Sequence, residues 1–338
     1  MSFLQHHLPV IVPIAVLLIM VAVQLVRRHI RQVKLRPAWA SFFTPPEWER
    51  FLLAIAQELT GRRIPYQYHG DGFLAVKAGE TEMQMGLGNL AQICHQAGRD
   101  SWAEIIRTHL DQILNAPNDH ADEMLHDFER VEDQLFIRLM ALDGAPRQDL
   151  AVARNDIPGT IAYLAIDLPT TVRSISTGDV EGWQKTPGQL YEIGLENVRT
   201  KSAIQEQRLP VDEGIEFIGV MGEDFFAASH ALLLHEHPEW LGKYGALVII
   251  PTRHTIVVYP INDLQFTKAV QYLAVMAIAM EKEGPGSISN RIYWYNDGCY
   301  VDIPYTIDSK KVSVTPPADF VAMMNRIAEE QGAAAGDG

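Results

Sequence analysis

Apolar positions along the chain fall into three regimes: an unbroken run near the start, segments at helical spacing, and a second half in which short apolar runs alternate with amphipathic ones. Residues 8–26 read LPVIVPIAVLLIMVAVQLV, with Gln24 the one strongly polar side chain, and as a helix they reach about 28 Å. That length matches the hydrocarbon core of a bilayer. Pro9 and Pro13 sit near the helix start, where backbone amides are free in any case. The pattern predicts a transmembrane helix. Thr44-Pro45-Pro46-Glu47 then reads as an N-cap with prolines in the first turn, and Trp48, Phe51, Leu52, Ile55 and Leu59 recur at helical spacing up to Gly61. Extended runs at 64–68, 73–77 and 82–87, separated by turns containing Gly, predict a small antiparallel meander. Helical patterns resume at 89–97, 101–114 and 119–142, after which Asp143-Gly144-Ala145-Pro146 breaks the chain.

The second half opens with strand-like runs at 160–167 and 172–176 and a helix at 187–205, followed by a strand at 215–221 and a helix at 223–235. A hairpin at 246–250 and 255–259, a helix at 264–282, a hairpin at 291–305 and a last helix at 317–330 complete the pattern. Strands arrive in adjacent pairs with helices between them, which predicts an α+β body rather than a doubly wound parallel sheet. The division that follows is a transmembrane anchor over residues 1–40, a helix-meander-helices sub-domain over 41–146, an α+β sub-domain over 147–331, and a small polar tail over 332–338 that reads as disordered.

Charge fixes an orientation. A cleaved signal peptide carries its positive charge before the apolar run, whereas here the basic residues Arg27, Arg28, Arg31, Lys34 and Arg36 follow it. Basic flanks stay cytoplasmic, so the N-terminus is expected outside and the body in the cytoplasm, spanning an inner membrane once. Lys and Arg total 28 against 42 Asp and Glu, a formal net charge of -14. The five collar residues account for all the charge of the first 36 positions, so 23 basic face 42 acidic residues from Pro37 onward, or -19. That balance excludes a nucleic-acid binder that relies on neutralising phosphates. It also predicts a body repelled by the anionic inner leaflet that attracts the collar. Two cysteines, Cys94 and Cys299, are too few for a disulfide framework or a Cys-rich zinc site, and they fit a reducing compartment.

Several blocks carry a resemblance. Ala162-Tyr163-Leu164-Ala165-Ile166-Asp167-Leu168-Pro169, with Arg173, Trp183 and Asn197 after it, is similar to the central signature of the YtpQ-like family, bacterial proteins grouped as a domain of unknown function. Gly222-Glu223-Asp224-Phe225-Phe226-Ala227-Ala228-Ser229 resembles that family's Asp-Gly-Tyr-x-Ala-Ser helix start, with Glu223-Asp224 where the family has Asp-Gly. The proline-led turn Pro251-Thr252-Arg253-His254 and the run Tyr293-Trp294-Tyr295-Asn296-Asp297-Gly298 resemble its two hairpins. The similarity spans about residues 47–307 and leaves out the anchor. It implies a fold and no reaction.

Motifs with known chemistry reduce to plainer roles. Gly86-Leu87-Gly88-Asn89-Leu90-Ala91 has the spacing of a dinucleotide fingerprint, but a returning parallel strand is missing, so a tight turn and helix start is expected. Glu123-Met124-Leu125-His126 is half of a di-metal site without its second half, set in an acidic solvated face. His230, His235 and His237 suggest a metal, yet their spacing is not that of His-Glu-x-x-His. Nucleophile-elbow, P-loop and kinase signatures are absent, and no cofactor or metal is assigned. The remaining candidates for a binding site are Asp167 and Arg173 at strand ends, Asp224 at a helix start, and Arg253 and His254 in a hairpin turn. Two functions follow: a membrane-anchored cytosolic module that contacts the bilayer through residues 8–26 and binds a protein partner, or an enzyme, most plausibly a hydrolase that uses Asp167 and Asp224 with Arg253 clamping a substrate anion.

Overall fold

The computed structural model describes residues 36–336 apart from short segments at 38–39, 41, 70–71, 79–80, 115–123, 145–148, 169–170, 284–285 and 309–310. The predicted span at 8–26 and Arg27, Arg28, Arg31 and Lys34 of the collar lie outside the described residues. Among the described residues no helix is long and apolar enough to cross a membrane.

Two compact units meet in sequence at His109 and Leu110, rather than at the Gly144-Pro146 break. In the first, helix α1 (Pro45–Gly61) buries Trp48, Phe51, Ile55 and Leu59, the residues whose spacing predicted it. Its start is closed by Glu47, whose carboxylate accepts from the Thr44 backbone amide at 2.8 Å and from the Thr44 hydroxyl at 2.7 Å. The meander forms as expected from β1 (Tyr66–His69), β2 (Phe73–Ala78) and β3 (Thr81–Gly86), all antiparallel. Helices α2 (Gly88–Ala97) and α3 (Trp102–Leu114) follow. Gly86 to Ala91 is thus the turn from an antiparallel strand into a helix, which rules out the dinucleotide reading.

The second unit departs from expectation first. Where a helix was predicted over 119–142, a four-residue helix α4 (Phe128–Val131) leads into strand β4 (Leu135–Ala141). Strand β4 pairs with β6 (Thr160–Leu168) along its whole length, and β5 (Ala153–Arg154) and β7 (Thr171–Ser174) also pair with β6. Helix α5 (Pro187–Lys201) packs on β4, with Gly194 so close that a Cβ there would lie 2.9 Å from Ile137 Cγ1.

A six-stranded antiparallel sheet forms the centre in the order β13-β12-β10-β11-β9-β8. Its strands are β8 (Gln205–Asp212), β9 (Ile215–Met221), β10 (Ala246–Thr252), β11 (Thr255–Pro260), β12 (Ile292–Asn296) and β13 (Cys299–Ile303). Both faces are buried. Val248, Ile250, Ile256, Val258 and Tyr293 face a core shared with β4, β6, α5 and a 3-10 helix at Ala227–Glu236. Their neighbours Leu247, Ile249, Val257, Tyr259 and Trp294 face a second core. That core is completed by α6 (Phe266–Glu283) and α7 (Ala318–Gly336). Burial on both sides explains why these strands read as continuous apolar runs. Strand β8, polar and exposed, sits at the sheet edge; the helix predicted to run to 205 ends at Lys201, and the stretch 206–212 carried no predicted element. A further hairpin, β14 (Tyr305–Asp308) and β15 (Lys311–Val314), precedes α7. The tail expected to be disordered continues α7 through Gly336.

Candidate functional site

Four elements of the second unit bring charged side chains to one place. Strand β6 carries Asp167 near its end, β4 carries Arg138, the segment after β9 carries Asp224 and Phe225, and the β10–β11 turn carries Arg253 and His254. Phe225 is 38 % exposed, and the guanidinium carbons of Arg253 and Arg138 lie 4.4 and 5.7 Å from its ring centroid. Its neighbour Phe226 is buried and stacks on Phe136 at 4.3 Å, which fixes the segment so that Phe225 stays at the surface.

The turn is held from three sides. The Arg253 amide donates to Gly286 O at 2.8 Å, its carbonyl accepts from Ala228 at 3.0 Å, and the His254 carbonyl accepts from Gly222 at 3.0 Å. Gly286, at φ +85°, leaves the space that the Arg253 stem fills, since a Cβ there would lie 2.7 Å from Arg253 Cδ. Arg253 Nε donates to His254 Nε2 at 2.8 Å, so the proton of His254 resides on Nδ1 and is donated to Gly222 O at 3.0 Å. A second proton on the ring would break the bond to Arg253. Burial, reinforced by the Arg253 charge, accordingly lowers the His254 pKa.

Electrostatics at the site are unusual in one respect: neither Arg138 nor Arg253 is ion-paired among the described residues. Arg138 Nε is buried without a hydrogen-bond partner. Burial, with the Arg138 charge adding to it, pushes the Arg253 guanidinium down to about 10. Asp167 is raised, chiefly by burial and then by the Asp224 charge, with Arg138 opposing the shift. Asp224 itself accepts from the Phe226 amide at 2.8 Å and from the Ser202 hydroxyl at 3.0 Å, the turn-forming role of an Asx side chain.

Of the residues singled out in the sequence, Asp167, Asp224, Arg253 and His254 come together in this neighbourhood. Arg173 stands opposite Ile166 in the β6–β7 ladder, and its side chain closes a loop after β7: it donates to Asp179 at 2.7 Å, and Asp179 also accepts from Ser176. Arg138 was missed because its segment was read as helix. The available signal was a single charge within Leu135-Phe136-Ile137-Arg138-Leu139-Met140-Ala141, a seven-residue apolar run of strand length.

A separate cavity of about 390 Å³ is lined by Ser202, His230, Glu236 and His237 among others. Ser202 joins it to the site, since its hydroxyl donates to Asp224 while its carbonyl pairs with His230 Nε2 at 3.0 Å. The three histidines do not gather as a ligand set: His230 is buried, His235 faces Glu236 at 3.6 Å, and His237 stacks on Trp240 at 3.7 Å. Glu206, His237 and Glu239 have ligand atoms within 4.8 Å of one another. Both carboxylates are exposed, and His237 Nδ1 already meets Glu239 at 3.1 Å, so the group is a surface acid–histidine pair with a second acid beside it. Glu123 of the Glu-x-x-His pair lies outside the described residues. No family model, curated protein or solved structure matches this chain.

Proposed function

We propose that this chain is a single-pass protein of an inner membrane, anchored through residues 8–26 with its N-terminus outside and its body in the cytoplasm, and that the body is a protein-interaction module centred on Phe225. One observation carries the reading: an exposed aromatic ring lies against two arginines that no described carboxylate pairs. Aromatic and arginine side chains are the residues around which partner-binding centres are built. The basic collar supports the orientation, and the -19 of the remainder supports a body that stands off an anionic leaflet. The resemblance to the YtpQ-like family is part of the proposal and brings no reaction with it.

A photo-crosslinking residue placed at position 225 of the full chain, in native membranes, tests it. A discrete adduct is expected that disappears with Arg138→Gln plus Arg253→Gln and does not form from Leu53, a more exposed position of the first unit. Adducts of equal yield from both positions, or none from either, would count against the module. Protease should reach the body in inside-out vesicles only; digestion in right-side-out vesicles would reverse the orientation.

The raised Asp167 carboxyl beside Asp224 favours a second reading, hydrolysis with Asp167 as general acid. Turnover of p-nitrophenyl phosphate or p-nitrophenyl acetate by the full chain, abolished in Asp167→Asn, would transfer the site to that reading.

A further inference from the structure

Resting on the interaction site at Phe225, we propose that Arg138 and Arg253 together form a receptor for one oxyanion of the ligand, a carboxylate or a phosphate, seated beside the Phe225 ring. Two guanidiniums lie over one ring, near enough to repel each other, and are partly buried, where water screens that repulsion less than it does at an open surface. Elsewhere in the unit the common solution is an ion pair: Arg154 with Asp156, Arg173 with Asp179, Arg199 with Glu236, and Arg291 with Asp302. Among the described residues, Arg138 and Arg253 have no such partner.

Donor geometry narrows the ligand. Arg253 Nε is spent on His254, which leaves the terminal nitrogens of its fork to face outward chemistry. Arg138 contributes a buried Nε with no acceptor of its own. A buried donor left open costs free energy, and an oxygen anion is the acceptor that satisfies it while neutralising both charges. A planar or tetrahedral oxyanion suits the guanidinium fork, whereas a cation or a neutral apolar group would leave both arginines unanswered. Gly286 and His254 position Arg253 for this, through the seated stem and the shared hydrogen bond.

Asp167 works against the anion. Its carboxylate is near enough to Arg138 for the two charges to attract, so it compensates part of the positive field when the site is empty. Removing that charge should therefore strengthen anion binding, which is the opposite of what removing a ligand-binding residue does.

The test uses the full chain in phosphatidylcholine nanodiscs, titrated with inorganic phosphate or with acetate at constant ionic strength made up with chloride. The arginine Nε–H signals are followed by nuclear magnetic resonance, that of Arg138 being assigned by its loss in Arg138→Lys. A saturable shift of the Arg138 and Arg253 signals is expected, with affinity reduced about tenfold or more in Arg253→Gln and increased in Asp167→Asn. Arg253→Lys keeps the charge and the fold while removing the fork, and it too should bind more weakly. Response to acetate alone identifies a carboxylate, to phosphate alone a phosphate, and either result supports the receptor. No saturable shift with either anion, an equal shift with chloride, or affinity unchanged in Arg253→Gln and Arg253→Lys would overturn it. A specific crosslink from position 225 without any anion response removes the oxyanion assignment and keeps the interaction module. An anion response without a crosslink does the reverse.

Discussion

Asn197 and Trp183 show what the residues behind the family resemblance do. Asn197 Nδ2 donates to the carbonyls of Glu132 and Leu135, each at 2.7 Å, at the point where a 3-10 turn enters β4. Trp183 Nε1 donates to Leu125 O at 2.6 Å. Both are buried and both donate to backbone carbonyls before or at the start of β4, so these positions hold the approach to that strand. Replacing Asn197 by Ala removes both bonds; Glu132 O keeps the Leu135 amide, while the buried Leu135 carbonyl loses its side-chain donor, and stability is expected to fall by about 1–3 kcal/mol, measurable as a shifted urea midpoint at constant slope. An unchanged midpoint would mean that the carbonyls find water or another donor. At this scale the sequence was informative about which residue types sit at the site and silent about their partners. Asp224 was legible as the acid at a helix start, where it accepts from the Phe226 amide just ahead of the 3-10 helix, and Arg253 as a turn residue. The contact of Arg138 with Phe225 and the hydrogen bond from His254 to Gly222 depend on the approach of segments far apart in the chain.

Elements were legible where apolar residues recur at helical spacing or where turn residues bracket the apolar runs. Helix α1, the β1–β3 meander and the β10–β11 and β12–β13 hairpins follow the spacing of their apolar residues or the chemistry of their turns. Strand β4 was not legible, because a short apolar run carrying one charge fits a helix as well as a strand, and the acidic residues before it imitate a helix face. Strand β8 failed for the opposite reason: an exposed edge strand needs no apolar face and is fixed by its ladder with β9. The seat of α5 on β4 supplies a test of how strongly that register is held. Gly194→Ala raises helix propensity by about 1 kcal/mol, yet its Cβ would meet Ile137 Cγ1 at 2.9 Å and the Ile137 backbone nitrogen at 3.0 Å. The backbone atom cannot rotate away, so overpacking of about 1–3 kcal/mol should win and the variant should unfold at lower urea. Because Arg138 follows Ile137, phosphate affinity should fall in the same variant. A Gly194→Ala protein more stable than the parent would show that the helix lifts freely from the strand.

Burial of neutral histidines ties the stability of the whole molecule to pH. His109, His230 and His254 all have pKa values lowered from the ordinary 6.5, in each case chiefly by burial. His230 is 3 % exposed, and its Nε2 is engaged by the Ser202 carbonyl. The folded state binds protons at these sites less readily than the unfolded chain. Stability is therefore fully present above about pH 6.5 and is lost as pH falls from there toward the folded values, each such histidine contributing a slope of up to about 1.4 kcal/mol per pH unit. Asp167 and Glu281 act in the other direction: burial raises both, so as pH falls the folded state takes up their protons first and recovers some stability above their ordinary 3.8 and 4.5. Glu47, held down to about 2 by the Thr44 amide and hydroxyl, contributes stability that is fully present above its ordinary 4.5 and is lost only as pH falls below it. Histidine thus dominates the upper part of the acid limb. The urea midpoint of the full chain should stay level between about pH 8 and 7 and decline from about 6.5. In His230→Gln, which keeps a donor toward Ser202 but cannot titrate, that decline should be shallower by up to one proton. A parallel decline in parent and variant would remove His230 from the linkage and leave His109 and His254 to carry it.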